Sequence, residues 1–114
     1  MLTMADIQRI GQGIGEAFGA TGVLLFGSHA RGTARADSDV DLLVLIPGER
    51  RPARREADIL LHLRPLHAVD VLVSTPERLA ERLALGDRFL QRVVREGSVL
   101  YGHVAGRVDS EGRS

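Results

Sequence analysis

Short apolar segments that alternate with segments of helical periodicity limit the fold of this chain more than any other feature. Residues 23–26 are wholly apolar and lie between two glycines. A run of this length is too short for a helix and is typical of a buried strand. Residues 39–46 and 69–73 are mostly apolar, with aspartates near their starts, so we predict strands there, with a further short strand at 99–101.

The segment before the first predicted strand has the pattern of an amphipathic helix. Residues 3–20 carry an apolar stripe at helical spacing, formed by Ile7, Ile10, Ile14 and Phe18. Thr3 is a suitable N-cap for this helix. Glycines at positions 11, 13 and 15 weaken it, each by about 1 kcal/mol relative to alanine.

Three further helices are predicted later in the chain. One covers residues 54–64, and a second begins after Thr75, which is followed by proline at the first helical position. The third lies near residues 89–94, where the apolar side chains are expected in the core. These side chains are Phe89, Leu90, Val93 and Val94.

Strands that alternate with helices indicate an α/β or α+β domain, with a small mixed β-sheet and helices packed against it. The length of 114 residues suits one domain. We expect that domain to cover residues 1–102. We expect the polar, glycine-rich residues 103–114 to be a disordered tail. The pattern alone determines no strand order.

Composition excludes several function classes. Fifteen basic and fifteen acidic residues cancel, so we expect no strong binding to long nucleic acids, which usually select a basic excess. No apolar run approaches the roughly 20 residues that span a membrane, and we see no secretion signal. The chain has no cysteine, which is compatible with a reducing cytoplasm, our expected location.

The segment that follows the first predicted strand has the outline of a phosphate site. Gly27 allows a ligand to approach the backbone closely, and Ser28 adds a hydroxyl donor before a short helix. The first N–H groups of a helix have no partner within it and attract anions. An ordinary strand-to-helix turn is the alternative, and it is the better reading of the Gly-Ser pair taken alone.

Three aspartates at the starts of two apolar strands change this balance. Asp39 and Asp41 are two residues apart, so their side chains point to the same face of a strand. Asp70 is the one charged residue in its strand. Three carboxylates would converge if the two strands were neighbours, as phosphoryl transfer with two metal ions requires. The alternative is a set of solvated carboxylates at strand ends.

The combined motif resembles the signature of the DNA polymerase β-type nucleotidyltransferase superfamily. The matching residues are Gly27-Ser28-x-Ala30-Arg31-Gly32, followed by Ser38-Asp39-x-Asp41-Leu42. The short length resembles that of the minimal nucleotidyltransferases (MNT) within it, and the resemblance covers about residues 5–102. It implies a polymerase β-like nucleotidyltransferase fold and transfer of a nucleoside monophosphate to an acceptor hydroxyl, with release of pyrophosphate.

The resemblance also implies roles for individual residues. Gly27 and Ser28 would hold the triphosphate of ATP. Asp39 and Asp41 would ligate two Mg²⁺ ions, and Asp70 would complete the second metal site and help to deprotonate the attacking hydroxyl. The resemblance therefore implies that these three aspartates are both the catalytic residues and the metal ligands.

Three neighbouring positions complete the motif. Ser38 would steady the turn before the aspartate pair. Arg31 would contact phosphate, with a structural salt bridge as an equal alternative. His29 stands where the family often has arginine, which puts a phosphate contact from that position in doubt and favours an exposed helix residue.

The resemblance to MNT proteins implies a partner as well. Such proteins resemble the antitoxin half of two-gene modules whose toxin is a helical HEPN-type ribonuclease, and the implied reaction is transfer of AMP to a tyrosine of that toxin. Two alternatives remain open: a non-catalytic antitoxin that acts by binding, and a subunit of an antibiotic-type nucleotidyltransferase that modifies small molecules. The basic cluster at residues 50–55 is interpreted as a solvated loop and helix start.

Overall fold

A computed structural model describes residues 2–63 and 68–105 of the chain. In this part of the chain, helices and strands alternate along most of the sequence. They are α1 (Met4–Phe18), β1 (Gly22–Phe26), α2 (Ser28–Arg31), β2 (Val40–Leu45), α3 (Pro52–Leu63), β3 (Val69–Ser74), α4 (Pro76–Ala84), α5 (Arg88–Glu96) and β4 (Ser98–Gly102). Each predicted strand is present, with ends that differ from the prediction by at most one residue.

The four strands form one mixed sheet in the order β3-β2-β1-β4. β1 is antiparallel to both of its neighbours, whereas β2 and β3 run parallel and are connected through α3. The mixed sheet with helices against it confirms the predicted fold class. No helix in the described ranges 2–63 and 68–105 combines the length and apolar character needed to cross a bilayer.

Helices cover both faces of the sheet, which explains why the central strands β1 and β2 are apolar apart from Asp41. One cluster joins α1 and α3 to one face; its fully buried members are Ile7, Ile14, Val23, Leu25, Leu42, Val44 and Ile59. A second cluster joins α4 and α5 to the opposite face; it contains Leu24, Leu43, Leu45, Leu79, Val93, Val94 and Val104. Neighbouring positions of β1 and β2 alternate between these clusters, as the twofold repeat of a strand requires.

The glycines of α1 have a packing role that their low helix propensity conceals. A side chain at Gly11 would overlap Leu100, and one at Gly15 would overlap the ring of Tyr101, both on β4. Gly13 faces open space. The helix is stabilised at its start by a capping box, in which Thr3 and Asp6 exchange hydrogen bonds. Two of the three glycines therefore allow α1 to lie close to an edge strand.

On each edge strand, a backbone group is hydrogen-bonded to a side chain from a helix. On β4, the carbonyl oxygen of Leu100 accepts from Gln8 Nε2 at 2.6 Å. On β3, the N–H of Val73 donates to Glu56 Oε2 at 2.9 Å. Backbone groups at both edges of the sheet are thus bonded to side chains of this chain.

Some expectations need correction. Phe89 does not lie in the core, because 57% of it is exposed, although Val93 is buried as predicted. The predicted tail begins at His103, but Val104 is buried, so the packed part of the chain continues past residue 102. The rest of that tail, residues 106–114, and residue 64, where the prediction ends the helix observed as α3, lie outside the described residues.

The basic cluster at residues 50–55 is partly engaged within the chain. The Arg55 guanidinium lies 2.8 Å from Glu49 and 2.7 Å from Asp58, and these carboxylates raise the pKa of Arg55. Arg51 and Arg54 are exposed. This arrangement agrees with a solvated helix start.

The close approach of α1 to β4 predicts opposite effects for two identical substitutions. Gly15→Ala should destabilise the domain by about 1–3 kcal/mol, because the added methyl group must displace the Tyr101 ring. Gly13→Ala should stabilise it by roughly 0.5–1 kcal/mol, because alanine has the higher helix propensity and meets no neighbour. Urea unfolding followed by circular dichroism measures both, and equal effects of the two substitutions would contradict the packing argument.

Candidate active site

The parallel pairing of β2 with β3 brings two of the predicted aspartates together. Asp41 and Asp70 are direct partners in the register of these strands. By strand alternation their side chains lie on the face that carries Leu43 and Leu72, which is the face covered by α4 and α5. The strand adjacency that the proposed carboxylate site needs is therefore present.

Gly27 lies directly against the Asp41 carboxylate. The end of β1 is antiparallel to the start of β2, with Phe26 opposite Asp41. Gly27 then turns the chain into α2 with a φ of 77°, a conformation that side chains rarely tolerate. A Cβ at this position would also overlap Asp41 Oδ2. Both the backbone angle and the lack of space require glycine here.

The loop before β2 is held by Ser38. Its hydroxyl accepts a hydrogen bond from the Arg35 N–H at 2.8 Å, and its own N–H donates to the Arg35 carbonyl oxygen at 3.0 Å. These two hydrogen bonds close the turn just before the aspartates. His29 is half-buried rather than exposed, and its Nε2 lies 3.3 Å from the Ser38 carbonyl oxygen. A histidine at this position therefore links α2 to the same loop.

The electrostatic surroundings of Asp41 are those of a crowded acidic site. Partial burial raises the pKa of the Asp41 carboxyl above its usual value, and the negative charges of Asp70 and Asp39 raise it further. The positive charges of His29 and Arg31 act in the opposite direction. Because neighbouring carboxylates repel one another, a cation bound between them is favoured. Their oxygen atoms are the ligands that Mg²⁺ prefers.

The described residues do not complete a set of metal ligands by themselves. Among residues 2–63 and 68–105, no three His, Cys, Asp or Glu side chains are arranged as a metal-binding group. Asp41 and Asp70 lie side by side, while Asp39 is exposed just before β2. The donor set still fits Mg²⁺, which commonly takes one or two carboxylates and completes its shell with water and substrate phosphates.

Asp41 and Asp70 open into a cleft of about 550 Å³ between the end of the sheet and α5. Its walls are Phe26, Gly27, Arg31, Asp41, Asp70, Val71, Leu72, Phe89, Arg92, Val93 and Glu96. Four of the predicted site residues therefore share one cavity. Ser28, Ser38 and Asp39 do not line it, although they flank the segments that do.

Sequence reasoning missed the wall that α5 contributes. Phe89, Arg92 and Glu96 recur at spacings that place them on one helical face, and that face lines the cleft. Arg92 Nε lies 3.2 Å from Glu96 Oε1, and Arg31 Nη1 lies 3.7 Å from the same oxygen. The salt bridge foreseen as an alternative role for Arg31 is thus present inside the cleft. The sequence shows the spacing of Phe89, Arg92 and Glu96, but it does not show which face of α5 packs against β1.

Asp87 sets the start of the α5 wall. Its carboxylate accepts a hydrogen bond from the Leu90 N–H at 3.0 Å, and this bond, with the nearby Arg82 guanidinium, lowers the pKa of Asp87. An N-cap of this kind fixes where the helix begins. The position of Phe89 in the first turn follows from it.

Comparisons with known proteins give a matching family model and similar solved structures. Residues 7–102 match the family model of the nucleotidyltransferase domain. The chain is similar to a crystal structure of a toxin–antitoxin with AMP-PNP, with 20% sequence identity and a TM-score of 0.52. The match covers 90% of this chain and 75% of that chain. A candidate nucleotidyltransferase from Sulfolobus solfataricus is 21% identical with a TM-score of 0.58, covering 90% of this chain and 82% of that chain. No curated protein matches the sequence.

The two solved structures support the fold, because their sequence identities are low. The family model supports more, since it matches most of the chain, from the first turn of α1 to the end of β4. The matched region also includes every residue of the cleft. The chain belongs to the nucleotidyltransferase domain family.

Proposed function

We propose that the chain is a Mg²⁺-dependent nucleotidyltransferase that moves AMP from ATP to an acceptor hydroxyl on a HEPN-type toxin, and that it acts in this way as an antitoxin. The observation that carries the catalytic part is the position of Asp41 beside Asp70 in a cleft that begins at Gly27. Within a nucleotidyltransferase domain, paired carboxylates next to a glycine turn suit a metal-bound triphosphate.

The residues around Gly27 would bind the phosphates. Gly27 lets the backbone lie against the Asp41 carboxylate, beside which a metal-bound triphosphate would sit, and Ser28 adds a hydroxyl donor. Arg31 lines the cleft and supplies a positive charge near Asp41. Arg31 is 3.7 Å from Glu96, which is a loose ion pair, so its guanidinium can turn towards a phosphate at little cost.

The reaction is an in-line displacement at the α-phosphorus of ATP. The acceptor oxygen forms the new P–O bond, the bond to the bridging oxygen of the β-phosphate breaks, and pyrophosphate leaves. Asp70, the more exposed member of the pair, would accept the proton of the acceptor hydroxyl. Bound Mg²⁺ would supply stabilisation of the negative charge that develops on the phosphates. Asp41 would orient the triphosphate through that ion, with Asp39 as an additional carboxylate.

The partner is proposed from resemblance and from one solved neighbour. A structure of the same fold is a toxin–antitoxin that holds an ATP analogue. The cleft itself disfavours an antibiotic-type acceptor rich in amino groups. Beyond the aspartate pair, its one acidic side chain is Glu96, which already contacts Arg31 and Arg92. A cytoplasmic location fits this partner.

Binding of ATP should depend on Mg²⁺ and on Asp41. Calorimetric titration of the chain with ATP should give binding in Mg²⁺ that weakens at least about tenfold, or about 1.4 kcal/mol, when the metal is chelated. Asp41→Asn should lose this metal dependence, because it removes a carboxylate ligand. Metal dependence is more informative than affinity alone, since removal of a negative charge can itself favour an anion.

Asp37→Asn is the matched control for that titration. Asp37 is exposed, lies outside the cleft and loses the same charge on substitution. It should bind ATP with the metal dependence of the native chain. Native binding that ignores Mg²⁺, or equal effects of the two substitutions, would contradict the metal–nucleotide site.

Modification of a partner should require both aspartates of the pair. Co-expression with a HEPN-type toxin should add the mass of one nucleoside monophosphate to the toxin, as read by intact-protein mass spectrometry. The double variant Asp41→Asn, Asp70→Asn should add none, because it lacks the metal ligand and the proton acceptor. A double variant that leaves the toxin unmodified yet still neutralises it would instead support the non-catalytic antitoxin.

A further inference from the structure

Phe89 is exposed in an unusual place for a phenylalanine. It lies in the first turn of α5 and is 57% exposed, although its ring lines the same cleft as Asp41 and Asp70. The ring is held by an edge-to-face contact with Phe26, with centroids 6.0 Å apart and planes 84° apart. The helix start at Asp87 and the Phe26 ring together orient Phe89, while much of its surface remains uncovered.

The wall around Phe89 suits an uncharged planar group. Among the charged side chains of the cleft, Arg92 of α5 is paired with Glu96 at 3.2 Å, whereas Arg31 of α2 is held only loosely, 3.7 Å from the same carboxylate oxygen. The remaining surface is apolar and comes from Phe26, Val71, Leu72, Phe89 and Val93. The cavity, at about 550 Å³, has the size of a small-molecule pocket. The one basic and the one acidic side chain that α5 contributes to the lining thus offset each other in charge.

We propose that Phe89 is the stacking surface for the heterocyclic base of the bound nucleotide, so that α5 determines how the base is held. This inference rests on the proposed nucleotide site. Phosphates held at Gly27 and the aspartate pair leave the rest of the nucleotide to occupy the same cleft, and its apolar half is formed by Phe89 and its neighbours. A base can stack on an aromatic ring whatever its identity, because every base has a π-face.

Removal of the ring should weaken ATP binding and spare triphosphate binding. Phe89→Ala should weaken binding of Mg²⁺-ATP about 5- to 100-fold in calorimetric titration, the range found when a base loses an aromatic partner. Its affinity for Mg²⁺ and inorganic triphosphate, which has no base, should equal that of the native chain. Phe89→Tyr should bind Mg²⁺-ATP as the native chain does, because the phenol ring keeps the stacking surface.

Leu85 provides the matched control. It is 71% exposed, lies four residues before Phe89 and does not line the cleft. Leu85→Ala should bind ATP as the native chain does. This comparison separates stacking from a general effect of removing an exposed apolar side chain near the start of α5.

The absence of tryptophan from the sequence allows a direct optical test. Phe89→Trp introduces a single indole into the cleft. Its fluorescence should be quenched by Mg²⁺-ATP and remain unchanged with Mg²⁺ and inorganic triphosphate. Leu85→Trp, with the same reporter outside the cleft, should respond to neither ligand. This test does not depend on the stability of Phe89→Ala.

Distinct results overturn the inference and the function on which it rests. If the native chain binds neither Mg²⁺-ATP nor triphosphate, both fail. If the native chain binds ATP but Phe89→Ala binds it equally well, base stacking alone is wrong. The stacking role is also overturned if Phe89→Ala weakens ATP and triphosphate to the same extent, or if the Phe89→Trp indole ignores ATP.

Discussion

Side-by-side pairing of β2 and β3 is the contact on which the whole site depends. It places Asp41 and Asp70 at matching positions of parallel strands, where their charges repel unless a cation or a cationic side chain offsets them. β1 lies on the other side of β2 and ends at Gly27, which must lack a side chain because the Asp41 carboxylate occupies that space. A shift of one residue in either register would separate these groups.

The parts of the fold that local signals control could be predicted from the sequence. The cap at Thr75 with the proline after it, and the short apolar runs of β1 and β2, each indicate their element without reference to the rest of the chain. Of the motif residues, Gly27, Arg31 and Asp41 line one end of the cleft, whereas Ser28, Ser38 and Asp39 do not. Boundaries shifted by only one or two residues.

The parts that depend on distant contacts could not be predicted. Strand order follows from pairings between segments far apart in sequence, so the position of Asp70 beside Asp41 was conditional until the sheet was known. Phe89 shows the same limit, because its spacing fits a buried stripe, yet α5 meets the sheet through Val93 and Val94 instead. The glycines of α1 lower its helix propensity, but glycine is needed at position 15 because the Tyr101 ring occupies the space of a side chain there.

The hydrogen bonds of Gln8 and Glu56 bear on how this domain meets other chains. A strand that approached β4 or β3 would have to displace a side chain from Leu100 or Val73 before it could pair fully. Sheet-to-sheet joining between copies, the usual route to fibrous aggregates and swapped dimers, therefore starts at a disadvantage on both sides. Contacts through the helical surfaces carry no such penalty, because they leave the hydrogen bonds of Gln8 and Glu56 in place.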